Sequence, residues 1–440
     1  MNHNPEFLRN VWLELTPHRL IGMPAVLFAI FFLTYLITGS AFAESARLVA
    51  LTLYFGFTIL WGTRLAGEAL LNEVQDRTWD QQRMSSIAPW SMTWGKLFGS
   101  TIYPWYGATI CLLVYAVTDL QTQQADTVKY LLFMLAIAVL SQGVALLSSV
   151  QTIKVYQRSA STAFMVLGIL VALPLISWAF NEAGFLAWYG LQFRILDFLL
   201  LSVALFAAWS LIGIYRKMRE ELQFRNTPVY WLGFCVFLAI YLAGIIPRHL
   251  PGNELVTLRL FVAYSTFIVL AYVMLVLEEK NPLTIRRLLV ARAQRNWRGV
   301  FESTPCWLVT LLCVYVVCVV LMFNSYPDIS LAGRGFSLKP YVLAMAFFLT
   351  RDVLIFVLFN MSANRRRADV TAMFYLLLLY WLLPSIFSGL DLPMATAALI
   401  PLGTHDAMIS IVSGFLQCAI LIFLVLQRWR KLYATKTVST

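Results

Sequence analysis

Charged residues are scarce in this sequence. They make up 12% of its 440 residues, whereas hydrophobic residues make up 60%. Soluble globular domains carry roughly twice that share of charge, so an ordinary water-soluble domain is excluded. Histidine is scarcer still: the chain has four, and they stand in separate loops or termini. A membrane-embedded hydrolase or transferase would need such groups to converge at one depth, which this distribution disfavours.

Three further patterns are missing. The chain has no G-x-x-x-x-G-K-[ST] motif for nucleotide phosphates, since Gly95-Lys96 continues into Leu97. Its six cysteines are not spaced like metal ligands, and we interpret them as reduced packing residues. The N-terminus, with Glu6 and Glu14 ahead of the first apolar run, does not resemble a removable signal peptide. We therefore expect no metal or cofactor in this chain, and a first apolar segment that is retained.

Long apolar runs are what the sequence has in abundance. A helix that crosses the hydrocarbon core needs roughly 20 mostly apolar residues, and such runs recur between short polar interruptions. Because they are unbroken, they also exclude a strand barrel, whose strands alternate in polarity. We predict an all-α polytopic membrane protein with about twelve transmembrane helices. They are expected near residues 20–38, 48–66, 97–117, 130–150, 163–180, 195–214, 230–246, 258–277, 306–323, 341–360, 371–388 and 407–427.

Basic residues are distributed unevenly between the two sides of this map. The termini and the loops on their side hold twenty-five Lys and Arg, and the opposite loops hold seven. Because Lys and Arg are held on the cytoplasmic side, we predict that the N- and C-termini are both cytoplasmic. The formal net charge of +11 then reflects topology and contact with membrane lipids. A nucleic-acid partner is not expected, since no binding motif is present.

The chain resembles itself when it is shifted by about 210 residues. Thr16-Pro17 corresponds to Thr227-Pro228, and Gly22 corresponds to Gly233. Further matches join Arg158 to Arg367 and Leu173-Pro174 to Leu383-Pro384. Chance similarity between apolar segments does not readily supply Thr-Pro, Gly, Arg and Pro in order. We therefore predict two six-helix repeats, residues 1–220 and 221–440, in the same orientation, with a pathway between the halves.

Two loops on the cytoplasmic side are longer than their neighbours. They follow the second and the eighth apolar segments and occupy equivalent places in the two repeats. In the second loop, apolar residues recur at helical spacing among several arginines between 285 and 298, which predicts a basic amphipathic helix at the membrane surface. In the first loop, residues 73–80 are charged and compatible with a helix, which Pro89 is expected to end. Such helices serve either as anchors for the loop or as docking elements for a cytosolic partner.

The first loop carries a recognisable series of residues. An acidic residue is followed by a threonine, by a small residue and a proline, and by a Gly-Lys pair where the next span begins. These residues are Glu73, Arg77-Thr78-Trp79-Asp80, Ser86, Pro89 and Gly95-Lys96. With these residues, the chain resembles the permease subunits of the second class of ABC exporters, with two six-helix units fused. The stretch from Asn4 to Arg19 is also similar to the cytoplasmic helix that precedes the first span in that family.

The resemblance implies a function and a set of partners. Such permeases form the translocation pathway of an exporter in the bacterial inner (plasma) membrane, while ATP and Mg are bound by a separate cytosolic ABC ATPase, here expected in two copies. The loop after the second span is the coupling helix of each permease. The residues implied are Glu73, Arg77, Thr78 and Asp80 in the first half and Arg286 and Arg287 in the second. The second loop lacks the Thr and the Gly-Lys, so coupling through it departs from the family pattern.

Two other classes of function remain open at this stage. A twelve-helix secondary transporter of the major facilitator type also has two parallel halves, and Asp76-Arg77 resembles part of its loop motif. That motif needs glycines and a second basic cluster in a tighter loop. A membrane protein with a purely structural role is also compatible with the sequence. Loss of transport or of ATPase stimulation in altered chains would distinguish these classes.

Ionisable residues at membrane depth are costly and often functional. Arg351 and Asp352 lie near the middle of the tenth span. Adjacent residues point in different directions on a helix, so each is expected to meet a partner on another helix or to face a polar cavity. Their counterparts in the first repeat are Gln142 and Gly143. Structural pairing between helices is the simpler interpretation, and contact with a substrate is the alternative.

Overall fold

The computed structural model describes residues 4–85, 87–121, 126–152, 170, 172–180, 184–247, 252–278, 280–323, 330–331, 334–335, 337–361, 368–402 and 407–434. Its internal contacts divide the chain into two compact units. The first unit comprises Met1–Leu186 and Gln192–Asn226, and the second comprises Ala187–Leu191 and Thr227–Thr440.

Apart from the base of one hairpin, whose residues Ala187–Leu191 belong to the second unit, the described part of the first unit is helical. Its α-helices are α1 (Pro5–Glu14), α2 (Pro17–Thr38), α3 (Phe42–Phe55), α4 (Thr63–Gln75), α5 (Trp79–Arg83), α6 (Pro89–Trp94), α7 (Ile102–Gln121), α8 (Thr127–Thr152), α9 (172–180) and α10 (Ile195–Glu221). Two π-helical segments, Gly56–Gly62 and Gly95–Gly99, interrupt the second and third apolar segments. The strands β1 (Phe185–Trp188) and β2 (Leu191–Arg194) pair as the hairpin.

The second unit has the same helical character. Its helices are α11 (Val229–Ala243), α12 (Gly252–Leu277), α13 (Pro282–Ala293), α14 (Trp297–Ser303), α15 (Cys306–Phe323), α16 (Leu338–Asn360), α17 (Ala368–Leu377), α18 (Leu383–Gly389), α19 (Pro393–Ala397) and α20 (Ala407–Ala434). A π-helical segment, Leu378–Leu382, joins α17 to α18. The strands β3 (Ser330–Leu331) and β4 (Arg334–Gly335) pair antiparallel.

Within the described ranges, eight helices are long and apolar enough to cross a membrane. They become nine if Pro89–Gly99 and Ile102–Leu120, which meet at a bend of 59°, count as one span. The protein is therefore an integral membrane protein of all-α architecture, and that prediction is confirmed. The total of twelve spans, the repeats and the orientation stay predictions. Residues 163–169 and 171 of the expected segment 163–180 lie outside the described residues, and α11, with 15 residues, is shorter than a typical span.

The longest helical run, Pro17–Gln75, folds back on itself. A straight helix of its 59 residues would be about 90 Å long at 1.5 Å per residue, roughly three times the hydrocarbon thickness. Yet Leu27 of α2 and Tyr54 of α3 lie in the same buried cluster. The reversal occurs at Gly39, whose φ of +51° suits a residue without a side chain. The run therefore consists of two helices that pack against each other rather than one straight helix.

Each unit contains a buried tyrosine that joins two helices in the same way. In the first unit, the hydroxyl of Tyr54 on α3 donates to the carbonyl oxygen of Met134 on α8, at 2.9 Å. In the second, the hydroxyl of Tyr264 on α12 donates to the carbonyl oxygen of Val342 on α16, at 2.7 Å. Tyr264 lies 210 residues after Tyr54, and Val342 lies 208 residues after Met134. The two units thus share a tertiary contact as well as a helical composition.

The first long loop differs from the expected single helix over residues 73–80. Helix α4 ends at Gln75, and Arg77 adopts a left-handed backbone conformation with φ of +58°. The amide and hydroxyl of Thr78 both donate to the carbonyl oxygen of Glu73, at 2.9 and 3.2 Å, which closes the end of α4. Pro89 does not end a helix: it opens α6, where a missing N–H is tolerated. The loop therefore consists of a tight turn followed by the short helix α5.

Candidate functional site

Helix α1 packs closely against the start of the third apolar segment. Asn4 caps it, because its side-chain oxygen accepts from the amides of Glu6 and Phe7. A Cβ atom on Gly95 would lie 2.6 Å from Cγ of Glu6, so this approach depends on a glycine. The side chain of Asn10 donates to the carbonyl oxygen of Gly95 at 3.3 Å. These contacts bring Glu6 beside the following residue, Lys96.

Lys96 is the buried centre of a group of charged and polar side chains, which we call the charge cluster and in which the side chain of Arg9 is 43% exposed. Its members are Glu6, Arg9, Glu73, Gln82 and Lys96. The side chain of Lys96 is only 2% exposed. Its Nζ lies 2.7 Å from Oε1 of Glu6 and 2.8 Å from Oε1 of Gln82, and it also contacts the carboxylate of Glu73. One ammonium group therefore joins α1, α4, α5 and the π-helical segment that contains it.

Arg9 closes the other side of the charge cluster. Its guanidinium lies 2.5 Å from Oε1 of Glu73 and 2.8 Å from Oε1 of Glu6. Burial lowers the pKa of Arg9, but the hydrogen bond to Glu73 and the charge of Glu6 raise it more, so the net pKa is raised. Gln82 of α5 donates to the same Glu73 oxygen at 2.9 Å. Two cations therefore balance two carboxylates where burial makes unpaired charge costly.

The charge cluster holds α5 in place. Trp79, the first residue of α5, is buried, and its ring centroid lies 5.8 Å from Nζ of Lys96. The outer side of α5 is open, since the side chain of Asp80 is 81% exposed and Met84, directly after the helix, is also exposed. A short helix is thus fixed on its inner side by buried charges and an indole, with an acidic and an apolar side chain on its free side.

The four residues implied by the family resemblance in this loop have different environments. Glu73 is a member of the charge cluster, and Thr78 stabilises the turn. Arg77 and Asp80 are exposed. They therefore do not form one contact surface. Sequence reasoning missed that Arg9 pairs with Glu73 and that Glu6 shares Arg9 and Lys96 with it, although an acidic residue in the N-terminal helix and the Gly-Lys pair were visible.

The second loop is built differently. Arg286 and Arg287 lie on α13, and both are exposed. The expected amphipathic character is partial: Ile285 packs against the core of this unit, whereas Leu289 is exposed. Glu278, at the end of the preceding span, accepts from the amides of Cys306 and Trp307 at 3.1 and 3.0 Å, and so caps α15.

Arg351 and Asp352 belong to a second buried group, the polar cluster, with Tyr272, Tyr380 and Gln417. Each residue meets a partner on another helical segment, as expected, and in addition Nε of Arg351 donates to Oδ1 of its neighbour Asp352 at 2.9 Å. Oδ2 of Asp352 accepts from the hydroxyls of Tyr272 and Tyr380 at 2.6 and 2.7 Å. Arg351 also donates to Gln417 at 3.0 Å. Asp352 is fully buried, and the cluster joins three helices and the π-helical segment.

Gln142 has a neutral environment in the first unit. Its side-chain nitrogen donates to the carbonyl oxygen of Thr58 at 3.1 Å, and its oxygen accepts from the indole of Trp105 at 2.9 Å. Thr58 lies in the π-helical segment Gly56–Gly62, where the altered ladder leaves carbonyls accessible. Gly62 admits the side chain of Gln142, since a Cβ there would overlap its nitrogen. Gln142 therefore makes a structural bridge between three helical segments and contacts no charge in the described part of the unit.

The described residues include no group of three or more His, Cys, Asp or Glu that could hold a metal ion. Comparison of the chain with family models, with curated proteins and with solved structures finds no match. Function is therefore inferred from the chain's own architecture and from its two clusters of charged and polar residues.

Proposed function

We propose that this chain is the membrane-spanning subunit of an ATP-driven exporter of the bacterial inner membrane, with a pathway between two fused halves. In this proposal, ATP and Mg are bound by two copies of a separate cytosolic ABC ATPase. The chain itself contributes helices and docking loops and performs no catalysis.

The observation that carries the proposal is the way in which α5 is attached to the neighbouring helices of the first unit. A docking helix must pass motion of a partner to the spans, so it has to be joined to them stiffly. Helix α5 meets this requirement through Trp79 and Gln82, which bind it to Lys96 and Glu73. Asp80 and Met84 remain available to a partner. Movement of an ATPase bound there would reach α1, α4 and the third apolar segment together.

Two further observations support the paired arrangement. The matching tyrosine contacts, Tyr54 to Met134 and Tyr264 to Val342, favour two six-helix repeats within the twelve-span total. Their spacing of about 210 residues is the shift at which the sequence resembles itself. The excess of basic residues on one side favours cytoplasmic termini, which would place both long loops within reach of a cytosolic ATPase.

We predict that the two loops are unequal in coupling. Replacing Asp80 and Met84 together with alanine should lower ATP turnover by roughly 5- to 150-fold, the effect of removing about 1–3 kcal/mol of coupling. Replacing Arg286 and Arg287 with glutamine should weaken contact with anionic lipids and change turnover less. The measurement is ATP turnover by the complex reconstituted in vesicles, normalised to the amount of assembled complex.

The choice of residues separates coupling from stability. Asp80 and Met84 are exposed, whereas Glu73 is part of the charge cluster, so its replacement would also destabilise the unit. Glu220→Ala is a matched control, since Glu220 is an exposed acidic residue whose contact is with nearby Lys217. If both sets of substitutions lowered ATP turnover equally, the two loops would not differ in coupling. If neither set changed ATP turnover, neither loop would contain a coupling helix.

A further inference from the structure

An aromatic groove lies on the first unit, beside the charge cluster. Its cavity has a volume of about 560 Å³, within the roughly 300–1,000 Å³ of pockets that hold small molecules. The side chains that line it are mainly apolar, and those that form its walls are Phe7, Trp90, Trp94, Phe98, Ile102 and Trp105. Neither the coupling proposal nor the charge cluster uses this groove.

The bend in the third apolar segment accounts for the groove. The helical parts before and after Ser100 meet at 59°, which opens space on one side of the segment. Trp94, Phe98, Ile102 and Trp105 all line this space, on both sides of the bend. The rings of Trp94 and Phe98 stack with centroids 4.7 Å apart. Phe7 and Asn4 of α1 form the opposite wall, and Asn4 is fixed by a hydrogen bond to the carbonyl oxygen of Ser91.

The groove has the composition of a membrane–water boundary. Trp90 and Trp94 are 45% and 38% exposed, and tryptophan is enriched where apolar and polar parts of a bilayer meet. Lys96 of the charge cluster lies between the lining residues Trp94 and Phe98 in the sequence, and the lining residues Ile102 and Trp105 belong to the apolar helix α7. The groove therefore adjoins both a charged region and an apolar span.

Positive charge lies at the Trp90 end of the groove. The ring of Trp90 packs edge-on against Tyr215 of α10, with centroids 5.4 Å apart. The guanidinium of Arg219 lies over the face of the same tyrosine, 5.8 Å from its centroid. Arg216 stands on the same end of α10, where the charge of Lys217 is paired with Glu220. An occupant with an apolar chain and an anionic head would therefore be attracted at both ends.

We infer that this groove binds one acyl chain of an anionic phospholipid drawn from the bilayer, with the phosphate on the side of Arg219. The acyl chain packs along the rings of Trp94, Phe98 and Trp105. It thereby fills the space between α1 and the third apolar segment. Because Trp105 donates to Gln142, binding in the groove also stabilises the hydrogen bond from Gln142 to the carbonyl oxygen of Thr58. The inference is independent of the proposed transport function.

The first test is native mass spectrometry of the purified chain in mild detergent. It compares phosphatidylglycerol with phosphatidylcholine of identical acyl chains. The intact chain should retain one phosphatidylglycerol at least fivefold more strongly than phosphatidylcholine. Ser91→Trp, which fills the groove while keeping the backbone oxygen that Asn4 uses, should abolish this retention. Arg219→Gln should reduce the preference for phosphatidylglycerol, and Ser40→Trp, at an exposed serine in the turn after α2, should change nothing.

The second test uses the unaltered chain and so does not depend on how a variant folds. Phosphatidylglycerol with brominated acyl chains quenches tryptophan fluorescence on contact. Part of that quenching should be reversed by unbrominated phosphatidylglycerol but not by phosphatidylcholine, and this part should shrink in Trp94→Phe. Equal competition by both lipids would overturn the inference. So would retention that survives Ser91→Trp, or a groove that retains no lipid because detergent or another ligand fills it.

Discussion

Lys96→Met is expected to destabilise the first unit by about 3 kcal/mol, because removing one partner of a buried ion group leaves uncompensated charge. Lys96 is the only ammonium in contact with both Glu6 and Glu73 among the described residues. Methionine fills a similar volume without charge, so the effect isolates the electrostatic contribution. Arg9 remains near both carboxylates and offsets part of the loss. Adding Glu73→Gln to Lys96→Met should restore part of the stability, since Arg9 then balances the one carboxylate that remains, Glu6.

The measurement for this variant is the half-life of the folded chain in detergent at a fixed temperature, followed by size-exclusion chromatography. A half-life is suitable because membrane proteins of this size often unfold irreversibly. A loss of 3 kcal/mol shortens it by about 150-fold if the whole effect falls on the unfolding rate. Arg64→Met is the matched control, since Arg64 makes an exposed pair with Glu68 on the same helix α4 and should change little. A half-life equal to that of the control would mean that the charge cluster is solvated.

Asp352→Asn should destabilise the second unit by about 3–5 kcal/mol. Asparagine keeps the shape of the side chain and an oxygen that can accept from Tyr272 or Tyr380. It removes the negative charge that balances Arg351, whose side chain is almost wholly buried. Replacing both residues, as Arg351→Met with Asp352→Leu, should recover much of the loss, because a buried ion pair and an apolar pair of similar volume are often close in stability.

The same half-life measurement checks this prediction, with Asp197→Asn as the control. Asp197 pairs with Lys129 at 2.5 Å, but both side chains are about one-third exposed, and no measurable loss is expected. If Asp352→Asn were as stable as the control, water would have to reach Asp352. That result would favour a role of the polar cluster in the pathway over a role in packing.

The helical architecture could be predicted because its signal is local. The apolar run at 306–323 coincides with α15, and the run at 341–360 with most of α16. Breaks within runs were harder to predict. Arg77 takes a left-handed conformation without the glycine or asparagine that usually marks it, so the end of α4 was not foreseen. The π-helical segments have no simple periodic pattern in the sequence, so they could not be predicted from it. One of them contains Thr58, whose carbonyl oxygen accepts the hydrogen bond from Gln142.

The sites could be predicted only in part, because their partners are distant in sequence. Glu6 and Lys96 are 90 residues apart, and they meet because α1 packs on Gly95. Nothing local in the sequence reports that packing. Arg351 and Asp352 were visible as costly residues at membrane depth, but their direct pairing depends on the guanidinium folding back along its own helix. Polar residues in apolar runs therefore indicate where a site lies. Which other residues contact them can be seen only in the tertiary structure.

The central claim is that this chain works with a separate ATPase. The subunit composition of the complex that is extracted from the native membrane tests that claim most directly. We expect the tagged 50.0 kDa chain, extracted in mild detergent, to be isolated with two copies of a P-loop ATPase, as measured by the mass of the intact complex. The complex should hydrolyse ATP, and Asp80→Arg should release the ATPase while leaving the chain folded. A chain that is isolated alone and that drives transport in vesicles from an ion gradient without ATP would contradict the account and favour a secondary transporter.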